Sequence, residues 1–167
     1  MVRAFQKFKP LPKALLSLLA AFIMVGLAWF LWFTVSPLFF NVSVSEPLMV
    51  GTEEATSAES LSVRLEGTFM GADAFHQVSG TARIIDRGSD TVVRLENDFR
   101  SINGPDLHVW LVGGEDYRDG YLDLGSLKGN LGAQNYAIPE GTDLSKFDRV
   151  WIWCQPFRVL FGSALLG

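Results

Sequence analysis

The sequence predicts an all-β fold, a β-sandwich or small β-barrel of about seven to nine strands, preceded by one transmembrane helix. Three observations carry this. Residues 14–35 form a run of 22 residues without a charge. From Leu61 onward, apolar and polar residues alternate with period two, the repeat of a half-buried strand. Clusters rich in Gly, Pro, Asn and Asp break those runs at strand-length intervals, which is the turn spacing of sandwiches and barrels.

The helix comes first. About 20 apolar residues cross a hydrocarbon core as a helix, and Ala14 to Val35 meets that length. Arg3, Lys7, Lys9 and Lys13 precede the run with no acidic residue among them. By the positive-inside rule, residues 1–13 are a cytoplasmic tail and everything after the span is exported. Trp29, Phe30, Trp32 and Phe33 cluster at the exit end, as an interfacial aromatic belt does. A cleaved signal peptide is the competing reading, but its apolar region is shorter, about 7–15 residues, and ends in small residues. Bulky aromatics fill that place here, so 14–35 is read as an uncleaved signal anchor in the cell membrane. A buried helix of a soluble protein fits poorly, because the run has no polar face.

Residues 36–60 hold Pro37, Pro47 and Gly51 and the small, acidic stretch Thr52 to Ser60, the composition of a flexible tether. The sequon Asn41-Val42-Ser43 sits close to the bilayer and has meaning only in a eukaryotic secretory route. Residues 61–167 form one domain, long enough for a single core. Leu61, Val63, Leu65 and Phe69 are expected on one face of the first strand. Val78, Ala82 and Ile84 follow, then Val93, Leu95 and Phe99, then Leu107, Val109 and Leu111. Tyr121, Gln134 to Ile138, Val150 to Gln155 and Arg158 to Leu166 supply the later strands. The one helical turn expected in the domain lies at Asp143 to Phe147.

Charge narrows the function. The chain carries −4 overall. Its first 13 residues carry +4, so the remainder carries −8. An acidic exported domain does not offer the basic face that nucleic acid requires. A phosphate loop is absent, since the glycines occur as turns without a following helix. Gly162-Ser163-Ala164 lacks the setting of a nucleophile elbow, and no closed zinc site is spelled by local spacing.

Reactive side chains are scarce: two histidines, His76 and His108, and one cysteine, Cys154. A single cysteine forms no intramolecular disulfide, and an unpaired one outside the cytoplasm stands out. The alternation places Val150, Ile152 and Cys154 on one face and Trp151, Trp153 and Gln155 on the other. The plain reading of Cys154 is a small buried hydrophobe. The functional reading is a redox thiol or ligand, which needs partial exposure or a neighbouring cation. Arg158, just past the turn at Gln155-Pro156-Phe157, is the expected cation. His108 shares a face with Asp106 and Trp110, and a carboxylate beside a histidine fixes its tautomer in ligand sites. A satisfied structural histidine has the same appearance. His76 either closes the turn at Gly71 to Ala74 or is a ligand. Haem pairs His with Cys, Met or a second His, and Met70 is the methionine of the domain. Covalent c-type haem is excluded, because no Cys-x-x-Cys-His occurs.

Several segments in this order resemble a known family: Gly67-Thr68-Phe69, Phe75-His76-Gln77-Val78-Ser79-Gly80-Thr81-Ala82, Phe99, Gly104-Pro105-Asp106-Leu107-His108-Val109-Trp110-Leu111, Leu124-Gly125-Ser126-Leu127-Lys128-Gly129-Asn130, Gln134-Asn135-Tyr136 and Val150-Trp151-Ile152-Trp153-Cys154. They resemble the DM-thirteen domain family, also called the electron-transfer DM domain, over nearly all of residues 62–166. The resemblance implies a β-sandwich-like extracellular module with a redox role, found beside haem-binding DOMON domains in some animal proteins. It further implies that Cys154 stands where the family's proposed redox cysteine does, as a bare thiol or as a ligand to a prosthetic group. The expectation is therefore a single-pass membrane protein with an extracytoplasmic electron-transfer domain and a redox partner protein. Cys154 is its centre, His108 and His76 are candidate ligands, and haem is one candidate cofactor. A non-catalytic sandwich that binds a partner at the cell surface is the alternative, and a hydrolase ranks below both.

Overall fold

The computed structural model describes residues 12–35, 40–48, 61–88 and 90–167. The basic tail before Pro12 and the acidic part of the expected tether lie outside those residues. The chain divides into two units, one ending at Ser36 and one beginning at Pro37.

The first unit is helix α1 (Lys13–Val35). Its first turn is started by the Pro12 carbonyl, which accepts from the amides of Leu15 and Leu16 at 2.9 and 3.2 Å. Proline suits a helix start because its φ is preset and it has no amide to leave unpaired. The described side chains of α1 are exposed on every side. Such an all-round apolar surface belongs in a bilayer or a large core. The helix is long and apolar enough to cross a membrane.

The second unit is β. Its strands are β1 (Ser43–Ser45), β2 (Ser62–Gly71), β3 (Val78–Ser79), β4 (Thr81–Asp86), β5 (Thr91–Leu95), β6 (Arg100–Ser101), β7 (Leu107–Val112), β8 (Tyr121–Ser126), β9 (Leu131–Ile138), β10 (Arg149–Cys154) and β11 (Val159–Leu165). They join in one sheet of order β3-β6-β9-β5-β4-β2-β11-β10-β7-β8, with β1 added alongside β9. All pairings are antiparallel except β1 with β9. Among the described residues the eleven strands exceed the expected number because β1, β3 and β6 are only two or three residues long. The sheet does not close into a barrel: β3 and β8 end it.

The long strand β2 makes the fold. Ser62 to Thr68 pair with β4, and Phe69 to Gly71 pair with β11. One strand therefore serves both halves of the sheet, and the halves fold over a common core, as in a sandwich whose strand switches sheets at a bend. Val93 and Leu95 from one half pack in the same cluster as Val109, Ile152 and Phe161 from the other. One expectation fails at the start of β2. Leu61 and Val63 are exposed rather than core-facing. The β2–β4 register shifts between Val63 and Leu65, and such a bulge turns the preceding side chains to the other face. The expected turn near Asp143 is a 3-10 turn at Leu144–Lys146, and a second at Tyr117–Asp119 carried no clear sequence signal.

Residues 40–48, inside the stretch expected to be tether, lie along β9. Asn130 holds them at one end: its Oδ1 accepts from the Val42 amide at 2.7 Å and its Nδ2 donates to Asn41 Oδ1 at 2.8 Å. Glu46 holds the other end, accepting from Lys128 Nζ at 2.8 Å and from the Asn135 amide at 2.7 Å. Burial raises the Glu46 carboxyl pKa, but these hydrogen bonds and the nearby Lys128 and Arg94 charges outweigh it and leave the pKa below its ordinary value. The turn that makes this possible is supported from beneath by Gln134, which is fully buried. Gln134 accepts from the Gly129 amide and the Tyr136 hydroxyl and donates back to the Gly129 carbonyl.

Candidate functional site: an apolar cleft over Cys154

The alternation in β7 and β10 gives the sheet two different faces. Leu107, Val109 and Leu111 of β7, with Val150, Ile152 and Cys154 of β10, point into the core. Trp110, Val112, Trp151 and Trp153 form a separate cluster on the other side. Cys154 is the last residue of β10, where the core runs out toward solvent. There it lines an open, mainly apolar cleft of about 500 Å³ together with Phe75, His76, Pro105, Phe157 and Phe161.

Each wall has a local cause. The Asp73 carboxylate accepts the backbone amides of Phe75 and His76 at 2.7 and 2.8 Å, winding residues 73–76 into a tight turn. The same carboxylate meets His76 Nδ1 at 2.7 Å, and the imidazole stands edge-on to Phe161 with centroids 4.7 Å apart. Opposite, Gly104 passes so close to Phe161 that a Cβ there would lie 2.5 Å from the ring. Glycine is what lets the Gly104-Pro105-Asp106 turn reach Cys154. The Pro105 carbonyl then accepts the Cys154 thiol at 3.2 Å.

The thiol is buried, 1 % exposed. Burial pushes its pKa above the ordinary cysteine value, the Asp106 charge adds to that, and a backbone hydrogen bond at Phe157 only partly opposes it. The expected cation is not beside it. Arg158 turns to the other face, where its guanidinium donates to the Tyr117 hydroxyl at 2.8 Å and lies over that ring. The Arg158 backbone explains the turn: its φ of 53° is left-handed and reverses the chain between β10 and β11.

The sign of the pH dependence follows. A group whose pKa is raised by folding favours the fold below its unfolded value and loses that contribution as pH rises. The protein is therefore expected to lose stability above about pH 8.5, the ordinary cysteine value, and Cys154→Ser to remove the cysteine's share of that loss. Thermal melts of both proteins from pH 7 to 10 check this. Alkylation of the native thiol with an apparent pKa below about 8.5 would contradict the geometry.

The structure thus brings His76 and Cys154 to one cleft and leaves His108 out of it. His108 lies on the opposite face of β7, paired across strands with Trp153. Its Nδ1 meets Asp123 at 2.9 Å, and its Nε2 meets both Asp106 and Ser126 at 3.2 Å. Gln155 also donates to Asp123. Burial raises the pKa of Asp123, but hydrogen bonds from His108 and the Gly125 amide leave it lower than usual. Asp123 was not singled out in the sequence. The signal was available: Asp123 is a lone acid between Leu122 and Leu124 of β8, one strand from His108, whose own register partner is Ser126. Met70 is 75 % exposed on β2 and is not among the residues of the cleft. Among the described residues no group of three or more His, Cys, Asp and Glu side chains is placed to hold a bare metal ion.

Residues 68–166 match the family described as Electron transfer DM13. The chain belongs to that family. No curated protein and no solved structure matches it. The matched span of this DM13 domain runs from within β2 to the end of β11, so it takes in the cleft and both walls of aromatic side chains.

Proposed function

We propose that this DM13 protein is a single-pass membrane protein whose extracytoplasmic domain transfers electrons at Cys154, acting as a ligand to a prosthetic group seated in the apolar cleft. The observation that carries it is the pairing in that cleft of a buried cysteine with a histidine whose Nδ1 is fixed by Asp73. A carboxylate on the far nitrogen is the arrangement that orients ligating histidines. Apolar walls with few convergent polar groups are the usual lining of a cofactor site. The donor set, one sulfur and one imidazole nitrogen, is of the kind that holds haem iron. Cys154 and His76 would hold such a group, and Phe75, Phe157 and Phe161 would cover its faces and keep water from it. Bound there, it would supply one-electron redox chemistry. A bare-thiol mechanism has less support, because the thiolate it needs is disfavoured by burial and by Asp106.

The test is the visible spectrum and redox titration of the full chain purified from its own membranes in detergent, then after addition of haem. An absorption band that shifts on reduction is expected. A colourless protein that neither takes up haem nor changes thiol state across the titration would leave the surface-binding alternative in its place.

The topology rests on the basic residues before α1 and the uncharged run within it. Protease added to intact cells is expected to remove residues beyond the span and leave a short membrane fragment. Full protection of the domain would place it on the cytoplasmic side.

A further inference from the structure

All three tryptophans outside α1 stack in one row on the outer face of the β7–β10 pair, and that row ends at the surface. Trp151 lies on Trp153 at 5.9 Å, Trp153 on Trp110 at 4.9 Å, and Trp110 on Tyr121 at 4.1 Å, with the ring planes within 24° of parallel at each step. The register of the sheet builds the row. Trp151 and Trp110 are directly opposite across β10 and β7, and Tyr121 and Asp123 bracket the same face of β8. The three indoles are at most 5 % exposed, whereas Tyr121 is 50 % exposed. Within the row, between Trp151 and Trp110, Trp153 is joined by one peptide bond to Cys154, whose side chain is on the core face.

A second small core explains packed aromatics. It does not require near-parallel overlap of oxidisable rings in an unbroken line from beside the cleft to solvent. We propose that Trp153, Trp110 and Tyr121 form a route for single electrons between the Cys154 centre and a one-electron oxidant, a radical or high-valent metal centre, docked at Tyr121. The inference rests on the function proposed above and answers a need of it, since the Cys154 sulfur is itself buried. The oxidant takes one electron from the Tyr121 phenol, whose proton passes to water. Trp110 returns an electron to Tyr121, which regains a proton from water, and Trp153 fills Trp110. In net, one electron has moved from Trp153 to the oxidant and the hole rests on the Trp153 indole, beside Cys154.

The experiment uses the full chain in lipid nanodiscs with Trp29→Phe and Trp32→Phe, so that the remaining indoles are those of the row. Photogenerated ruthenium(III) tris-bipyridine is the oxidant, and transient absorption follows tyrosyl and tryptophanyl radicals. A tyrosyl signal that converts to tryptophanyl is expected. Trp110→Phe should abolish the conversion, and Trp110→Tyr, which keeps an oxidisable ring, should retain it. Tyr121→Phe should reduce the tryptophanyl yield. Near-UV circular dichroism verifies that each variant is folded. Conversion that survives in folded Trp110→Phe, or a yield unchanged by Tyr121→Phe, overturns the route. Cys154→Ser separates the two ideas. A longer-lived tryptophanyl radical in that variant supports Cys154 as the next donor. An unchanged lifetime, with the Trp110 result intact, sinks the Cys154 reading and leaves the route standing.

Discussion

Replacing Cys154 by serine is expected to abolish the chromophore and redox activity of the full chain while leaving it folded. Serine is nearly isosteric, and its hydroxyl can donate to the Pro105 carbonyl as the thiol does. The usual penalty of about 1–3 kcal/mol for a buried hydroxyl without a partner is thereby largely avoided. A hydroxyl is nonetheless a far poorer ligand than a sulfur for haem or a soft metal. His76→Ala is expected to alter the spectrum without abolishing it, because Cys154 remains. His108→Ala is expected to leave it unchanged, because that ring stands on the other face of β7. Spectra, redox titration and thermal melts of the three variants check this. If Cys154→Ser keeps full activity and only stability falls, Cys154 is a core residue and nothing more.

Gln134→Leu is expected to cost the second unit about 3 kcal/mol or more. The Gly129 amide and carbonyl both use the Gln134 side chain, and the Tyr136 hydroxyl donates to it while still accepting from the Lys128 amide; each buried group left unpaired costs roughly 1–3 kcal/mol. For a domain of this size that corresponds to a fall in Tm of roughly 10–20 °C. A leucine of similar volume supplies none of the three bonds. The effect should extend beyond stability. Gly129 and Asn130 form the turn that receives Asn41 and Val42, so amide exchange in residues 40–48 is expected to rise more than in β10. Hydrogen exchange and thermal melts of wild type and Gln134→Leu test this. A drop in Tm of only a few degrees would mean that the turn stands without its buried support.

These two sites show where the sequence could be read and where it could not. The faces of β7 and β10 were legible, since side-chain direction follows the period of two without help from the rest of the chain. That alone placed Cys154 inward with Val150 and Ile152, and Trp151 and Trp153 outward. The start of β2 was misread by the same rule, because a bulge adds a residue and the period no longer applies. Arg158 was misread because one left-handed residue sends its side chain to the far face, which spacing along the chain does not reveal.

By itself the sequence determined the membrane-length helix, the β class, the inward setting of Cys154 and membership of the DM13 family. All of these follow from local patterns: an uncharged run, an alternation, and motifs in order. Only the tertiary structure decided that His76, not His108, shares a cleft with Cys154, that residues 40–48 are laid along β9, and that the three tryptophans meet Tyr121 in a row. Each is set by strand register and by one long strand, β2, passing between the two halves of the sheet. Such contacts join residues far apart in the chain, where sequence periodicity carries no information.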